Sequence, residues 1–462
     1  MEKIKKKPIE MLDGSMWDKI LRYALPVAAT GILGQLFNAS DIAIVGNFAD
    51  EAHQVSAVAA VGANGPVIGL MLNIFIGISL GANVVIANAI GRGDKDTVTR
   101  AVHTSIVAAF LGGVIMAILG EIFAVPLMSA LNVPDEVLPF ATRYMRIYLV
   151  GMPVILLYNF QAAIFRSVGD TKTPLIALAF SGVLNVLLNL FFVVVVHMTV
   201  EGVAIATVIA NVVSSTLLLR KLMCSEGYIH VDLKKLGIDW GILGRILRIG
   251  IPAGLQSAVF SAANIVMQSA INSLGKVVMA ANSAAFNVEI MVFYVLNSFG
   301  QACTTFVGQN YGAGKMDRCK KALKLCLVEA VLATGLAALI VLPSSSFLLS
   351  LFNGDPEVIR IGLIRIKYIF MGFIFSTFYD TMSGYMRGFG LSLIPALLTI
   401  TAVCGTRITW IYTVFPKYPS FETIMTIFPI SLALNAFLIL GALLIYHPSR
   451  RFDHTVLDKH EL

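Results

Sequence analysis

Residues 172–197 read KTPLIALAFSGVLNVLLNLFFVVVVH. Between Lys172 and His197 no side chain is charged, and at 1.5 Å per residue such a helix crosses the ~30 Å hydrocarbon core of a bilayer. Runs of the same kind cover 17–47, 55–88, 98–126, 136–165 and 200–222 on one side of a polar linker at 223–240. On its other side they cover 241–273, 280–311, 318–347, 357–386, 391–415 and 422–446. The composition agrees: 57% of the 462 residues are hydrophobic and 13% charged, with a mean hydropathy of +0.82. A soluble domain of this length needs far more charge to cover its surface. The 38 glycines suit close helix packing in lipid. The expected fold class is all-α integral membrane, with about twelve transmembrane helices.

The formal charge of +7 raises the question of nucleic acid, and its placement answers it. When the loops are numbered alternately, one set holds 26 of the 34 basic residues and the other only Lys276 and Lys417. The rich set includes Lys3, Lys5, Lys6, Lys7, Lys19 and Arg22, the loop with Arg92, Lys95 and Arg100, and Lys234 and Lys235 in the linker. It also includes Lys315 to Lys324 and, near the end, Arg450, Arg451 and Lys459. This is the positive-inside pattern, so both termini and the linker are expected in the cytoplasm of a multi-pass plasma (inner) membrane protein. No nucleic-acid partner is expected, and the start KIKKK is not followed by the apolar core of a cleavable signal. The five cysteines form no CxxC pair and the seven histidines no ligand spacing, so neither a disulfide framework nor a zinc site is expected.

The chain repeats itself. Gly91-Arg92-Gly93 matches Gly312-Ala313-Gly314 at an offset of 221, as do Arg166-Ser167-Val168-Gly169 and Arg387-Gly388-Phe389-Gly390. Pro174 matches Pro395, and Tyr158-Asn159 matches Tyr379-Asp380, at the same spacing. The expected organisation is an N-lobe at 1–222, a cytoplasmic linker at 223–240, a C-lobe at 241–447 and a cytoplasmic tail at 448–462. Six crossings per lobe give both lobes one orientation and place the pseudo-symmetry axis along the membrane normal, with a substrate path between the lobes. The glycine pairs read as helix C-caps and tight turns. They follow no strand and lack the GxxxxGK[ST] pattern, and no soluble segment is long enough for an ATP-hydrolysing domain. No catalytic constellation is evident, so an enzyme is not expected.

Several stretches resemble the multidrug and toxic compound extrusion (MATE) family of secondary transporters. They are Gln35-Leu36-Phe37-Asn38-Ala39-Ser40-Asp41, with Val45-Gly46, and Phe306-Val307-Gly308-Gln309-Asn310-Tyr311-Gly312-Ala313-Gly314-Lys315. The loops at 166–171 and 387–390 and the segment 200–207 resemble it as well. The resemblance implies two six-helix lobes forming a V-shaped cleft, and export coupled to protons or cations.

Charge at the bilayer centre costs about 2.5–3.5 kcal/mol on insertion scales, so each buried charge needs a reason. Asp41, with Gln35 and Asn38 just before it, is a candidate proton or Na⁺ site. Asn185 and Asn189, four apart on one helix face, supply the hard oxygens Na⁺ accepts. The resemblance places them, and Thr207, among the cation ligands of one branch, so Asp41, Asn185 and Asn189 form the candidate Na⁺ set. In the second half Glu289, Asp380, Tyr379 and Arg407 are candidates for substrate or for a further cation. Asp380 stands where the first half has neutral Asn159, and Arg407 is placed to pair with Glu289 or Asp380. Arg146 and Lys367 are further candidates to neutralise buried acids, and Glu121 and Glu329 read as acids near helix ends.

These features point to a monomeric antiporter exporting cationic amphipathic compounds through the bilayer in exchange for H⁺ or Na⁺, without a cofactor. The alternative is a flippase for lipid or lipid-linked precursors, which would use basic residues such as Arg146, Lys367 and Arg407 to hold phosphate.

Overall fold

The structure is a computed structural model that describes residues 8–49, 54–130, 133–225 and 227–452. The basic residues at 3–7 and Lys459, and most of the tail expected at 448–462, lie outside these. No strand occurs among the described residues. The helices are α1 Trp17–Phe48, α2 Gln54–Arg92, α3 Lys95–Ala130, α4 Leu138–Val150, α5 Met152–Ser167, α6 Lys172–Leu190, α7 Val200–Met223, α8 Trp240–Asn272, α9 Lys276–Gly312, α10 Met316–Ser350, α11 Pro356–Gly388, α12 Leu393–Thr399, α13 Thr406–Thr413, α14 Phe421–Tyr446 and α15 Pro448–Arg451. A π turn at Phe191–Val195 extends α6, and another at Ile400–Gly405 joins α12 to α13.

Among the described residues ten helices are long and apolar enough to cross a membrane, and the pair α4–α5 makes an eleventh. That pair bends by 52° where Pro153, lacking an N–H, opens α5. α11 has the length of a span, 33 residues, but Arg365, Lys367 and Asp380 lower its apolarity. Large apolar side chains such as Val150, Phe437, Leu339 and Ile445 stand 66–80% exposed, which suits a lipid surface and not water.

The chain folds into two compact units. The first comprises Met1–Ala28, Ala87–Gly93 and Ile251–Leu462, and the second Ala29–Ile86 and Asp94–Gly250. Helices α1, α2 and α8 each begin in one unit and end in the other. In the second unit α3 to α7 pack around a core that includes Ile44, Val45, Met128, Met145, Leu149 and Val203. The linker is ordered there: the backbone N–H of Asp232 donates to Nε2 of His103 (3.1 Å), and that of Asp239 donates to Oγ1 of Thr104 (3.0 Å).

Asp239 is the N-cap of α8. Its carboxylate accepts from the N–H of Ile242 (3.0 Å) and pairs with Arg100 (2.9 Å). The Ile242 N–H, then Arg100, hold this carboxyl below its usual 3.8. Asp239→Ala is expected to cost about 1 kcal/mol at neutral pH, as loss of a cap does. A carboxyl with a depressed folded-state pKa stabilises above its unfolded value and loses that contribution as pH falls through the folded one. The difference from wild type should therefore persist at pH 5 and vanish only below about pH 4. Thermal unfolding of the detergent-solubilised pair across that range measures it.

The first unit is built on α9, α10, α11 and α14, with Phe299, Phe306, Ile369, Phe373 and Ile424 in its core. The segment before α1 is fastened to the α9–α10 loop. Met11 and Met16 are buried, Asn310 Nδ2 and Arg318 Nη2 donate to the Met11 carbonyl, and Lys315 Nζ reaches Asp13 (2.8 Å). Lys315 holds the Asp13 carboxyl below the usual carboxylate range.

The duplication recurs in the backbone. Gly93 and Gly314 have φ of +71° and +70°, and Gly169 and Gly390 have +85° and +84°. Each pair is 221 residues apart and ends corresponding helices in the left-handed conformation that favours glycine.

Candidate functional site

Asp41 sits in the last third of α1, in the second unit, and is 5% exposed. α6 brings Asn185 and Asn189 to it on one face, and α7 brings Thr207. Asn189 Nδ2 donates to Asp41 Oδ1 (2.6 Å) and lies 3.3 Å from Asn185 Oδ1. Thr207 Oγ1 donates to Asp41 Oδ2 (3.3 Å), and Asn185 Nδ2 donates to Thr207 Oγ1 (3.3 Å). Among the described residues no basic side chain forms an ion pair with Asp41. Among the described residues the carboxylate is held by neutral donors alone.

Gly182 makes this approach possible. A Cβ there would lie 1.8 Å from a ring carbon of Phe37, one turn before Asp41 on α1. Without that Cβ, the ring fills the space and α1 comes close enough for the 2.6 Å bond. Gly182→Ala must displace the Phe37 ring or push the two helices apart. It is expected to cost roughly 1–3 kcal/mol, the usual range for overpacking, and to weaken ion-coupled export of any compound the chain carries. Unfolding and export assays on the purified variant check both effects.

Gln35 and Asn38 are not brought into this cluster: neither side chain forms a hydrogen bond among the described residues, and Asn38 is exposed. Two tyrosines of α4 that sequence reasoning passed over do approach it. Tyr144 and Tyr148 stack at 6.1 Å and lie in the field of Asp41. Their spacing of four in a thirteen-residue helix was the available signal.

The second-half candidates lie in the first unit and form separate contacts. Asp380 accepts from Asn297 Nδ2 of α9 (3.1 Å), and Asn297 accepts in turn from Gln301 (2.8 Å). Tyr379 is buried beside it. Glu289 is paired, but not with Arg407. Arg365 of α11 donates to it from Nε and Nη2, both at 2.8 Å, and from Nη1 to Asn282 Oδ1 at 2.5 Å. α9 and α11 pack along their length, so a cation one helix away reached Glu289 first. Arg407 pairs with neither acid. Its Nε donates to Ser431 Oγ (3.0 Å), and its guanidinium lies 4.2 Å from the ring centre of Phe428.

Arg146 pairs with Glu121 (3.1 Å) with both side chains about half exposed, and Lys367 is exposed. Glu329 is not at a helix end. It is 2% exposed well inside α10, and among the described residues neither carboxyl oxygen has a hydrogen-bond partner. Among the described residues no three of His, Cys, Asp and Glu gather as a metal site.

The family model described as MatE matches residues 26–191 and, a second time, residues 252–413. The two matches fall on the two halves of the duplication. The chain is 26% identical over 436 residues to the probable multidrug resistance protein YoeA of Bacillus subtilis, covering 92% of this chain and 93% of that one. It is 26% identical over 355 residues to a FAD transporter of Shewanella oneidensis, covering 74% and 75% of the two chains. A crystal structure of a MATE in complex with MaL6 shares the fold with a TM-score of 0.88 at 21% identity, covering 96% of this chain and 100% of that one. Two matches that together span more than half of the sequence, on a duplicated all-helical membrane fold, leave one assignment: the chain belongs to the MATE family of transporters.

Proposed function

We propose that this chain is a secondary active antiporter that exports amphipathic small molecules in exchange for H⁺ or Na⁺, with Asp41 as the coupling group. The single observation behind this reading is the buried Asp41 carboxylate held by neutral donors only. Charge buried without a counter-ion is costly, and a proton or a small cation relieves it. The donors suit either ion. Asn189 Oδ1 is buried and has no partner among the described residues. With the amide turned over, that oxygen, the two oxygens of Asp41 and Asn185 Oδ1 make a hard-oxygen set for Na⁺, or an acceptor for a protonated Asp41.

A coupling ion works only by binding one of two states better. Alternating access between the halves 1–222 and 241–447, joined by the linker 223–240, is the motion the duplication supports. The basic loops support a plasma-membrane orientation with both termini cytoplasmic, and the chain acts as a monomer. The relatives' names cover drugs and a flavin dinucleotide, so the substrate class is decided by the polar groups of the second half. Of the acids expected to draw cationic compounds, Glu289 is neutralised by Arg365, and Asp380 lies in the field of the buried Arg387.

The test is dye efflux from proteoliposomes under separately imposed Na⁺ and pH gradients. Export driven by one gradient and lost with its ionophore is expected. Export driven by neither overturns the antiport reading.

A further inference from the structure

Arg407 is among the largest fully buried side chains, at 2% exposure. It is the second residue of the helix that follows the π turn Ile400–Gly405. Of its five N–H donors only that on Nε meets an acceptor, Ser431 Oγ. The two terminal nitrogens have no acceptor among the described residues, and they are not among the unpartnered atoms sealed from solvent.

The nearby acids do not compensate it. Glu289 acts on Arg407 only at a distance, because Arg365 occupies its carboxylate. Asp380 is engaged with Asn297. The cluster Arg365, Glu289 and Arg407 therefore carries a net positive charge in the interior of the first unit. Phe428, at 4.2 Å, and Phe260 of α8, at 5.3 Å, line the guanidinium and return part of the cost of burying it. They do not satisfy its N–H groups.

We infer that Arg407, held by Ser431 and flanked by Phe260 and Phe428, binds the oxyanion of a flat aromatic substrate. The two free terminal nitrogens present the planar fork that a carboxylate or a phosphate accepts in bidentate fashion. Phe260, only partly buried, offers the face on which an aromatic body stacks, whereas buried Phe428 is taken up by the guanidiniums of Arg407 and Arg365. The inference rests on the export reading and assigns an anionic class of compound to this half. Position 186, its counterpart at the offset of 221, is Val186, so only one half carries the cation.

Two xanthene dyes of opposite charge test it: 5-carboxyfluorescein, an anion, and rhodamine 6G, a cation. Their affinities are measured by fluorescence anisotropy on the full chain in nanodiscs of neutral lipid. Wild type should bind 5-carboxyfluorescein, and Arg407→Gln should shift the affinity ratio toward rhodamine 6G by about tenfold or more, as loss of a bidentate charged contact does. Arg407→Lys, which keeps the charge and loses the fork, should fall between them. Should Arg407→Gln fail to fold, Ser431→Ala frees the guanidinium without removing it and should shift the ratio in the same direction by a smaller factor. An unchanged ratio in the folded variants overturns the inference, as does the absence of 5-carboxyfluorescein binding to wild type. Relief of dye binding by phenyl phosphate or benzoate supports an aromatic oxyanion, whereas relief by phosphatidic acid alone overturns it in favour of a lipid headgroup. Gradient-driven rhodamine 6G export without 5-carboxyfluorescein binding sinks this inference and leaves the antiport reading standing. Failure of export of both dyes with anion binding intact does the reverse.

Discussion

Asp41→Asn is expected to reduce gradient-driven export to the level of protein-free liposomes, while the protein still folds and still binds dye. Asparagine has nearly the shape of aspartate and can keep one hydrogen bond to the α6 amides. What it cannot do is exchange a proton or supply the negative charge that draws a cation to this site. Driving a two-state protein from 1:99 to 99:1 requires a ligand that prefers one state by about 10⁴-fold. A neutral amide at the end of α1 offers an ion no such preference. Dye counterflow separates the two parts of the reading, because exchange without a gradient should survive in Asp41→Asn if only the coupling is lost. Full export by this variant at normal abundance would remove Asp41 from the mechanism. Asn189→Asp is the informative companion: a second carboxylate 2.6 Å from the first makes an ion more strongly required. It should retain export and make it more dependent on Na⁺ or on low pH, according to which ion is used.

Much of this architecture was legible in the sequence. Long apolar runs need no partner to declare themselves, and the structure's helices begin and end within a few residues of them, as Trp17–Phe48 and Phe421–Tyr446 show against 17–47 and 422–446. Gly93 and Gly314, two of the glycines at positive φ, were visible because a left-handed helix end requires a particular residue type. So were Asp41, Asn185, Asn189 and Thr207, polar groups in apolar runs where each one is conspicuous. Choosing partners was harder. Arg365 lies in a helix whose polarity hid its face, and a linear reading has no means of ranking Arg365 against Arg407 as the partner of Glu289. Depth was also misread for Glu329: the expected run 318–347 and the observed Met316–Ser350 both place it well inside the helix and not near an end. Asn38 failed for a related reason. It lies three residues from Asp41, yet that step of about 300° leaves it exposed while Asp41 is buried.

The Glu289–Arg365 pair should dominate the stability of the first unit. Its side chains are 15% and 6% exposed, and Arg365 is further engaged by Asn282 and by the rings of Phe286 and Phe428. Removing one partner leaves a buried charge, which costs about 3–5 kcal/mol, whereas replacing both by apolar groups of similar volume is often close to neutral. The two single variants should not be equal. Glu289→Gln leaves Arg365 with the Asn282 oxygen and two aromatic faces, so it should lie at the low end of that range. Arg365→Met strands a carboxylate that is only 15% exposed and should lie at the high end. The double variant Glu289→Met with Arg365→Met should recover most of the loss. Thermal unfolding of the four proteins orders them, and an Arg365→Met protein as stable as the double variant would refute the account. The same variant bears on Arg407. Freed from Arg365, the Glu289 carboxylate becomes the nearest available counter-ion in the field of Arg407. It should compete with any bound oxyanion and weaken 5-carboxyfluorescein binding, although Arg407 itself is intact. The double variant has no acid to compete, so it should restore anion binding together with stability. Arg365 thus has two effects from one contact: it neutralises Glu289, and in doing so it leaves Arg407 uncompensated.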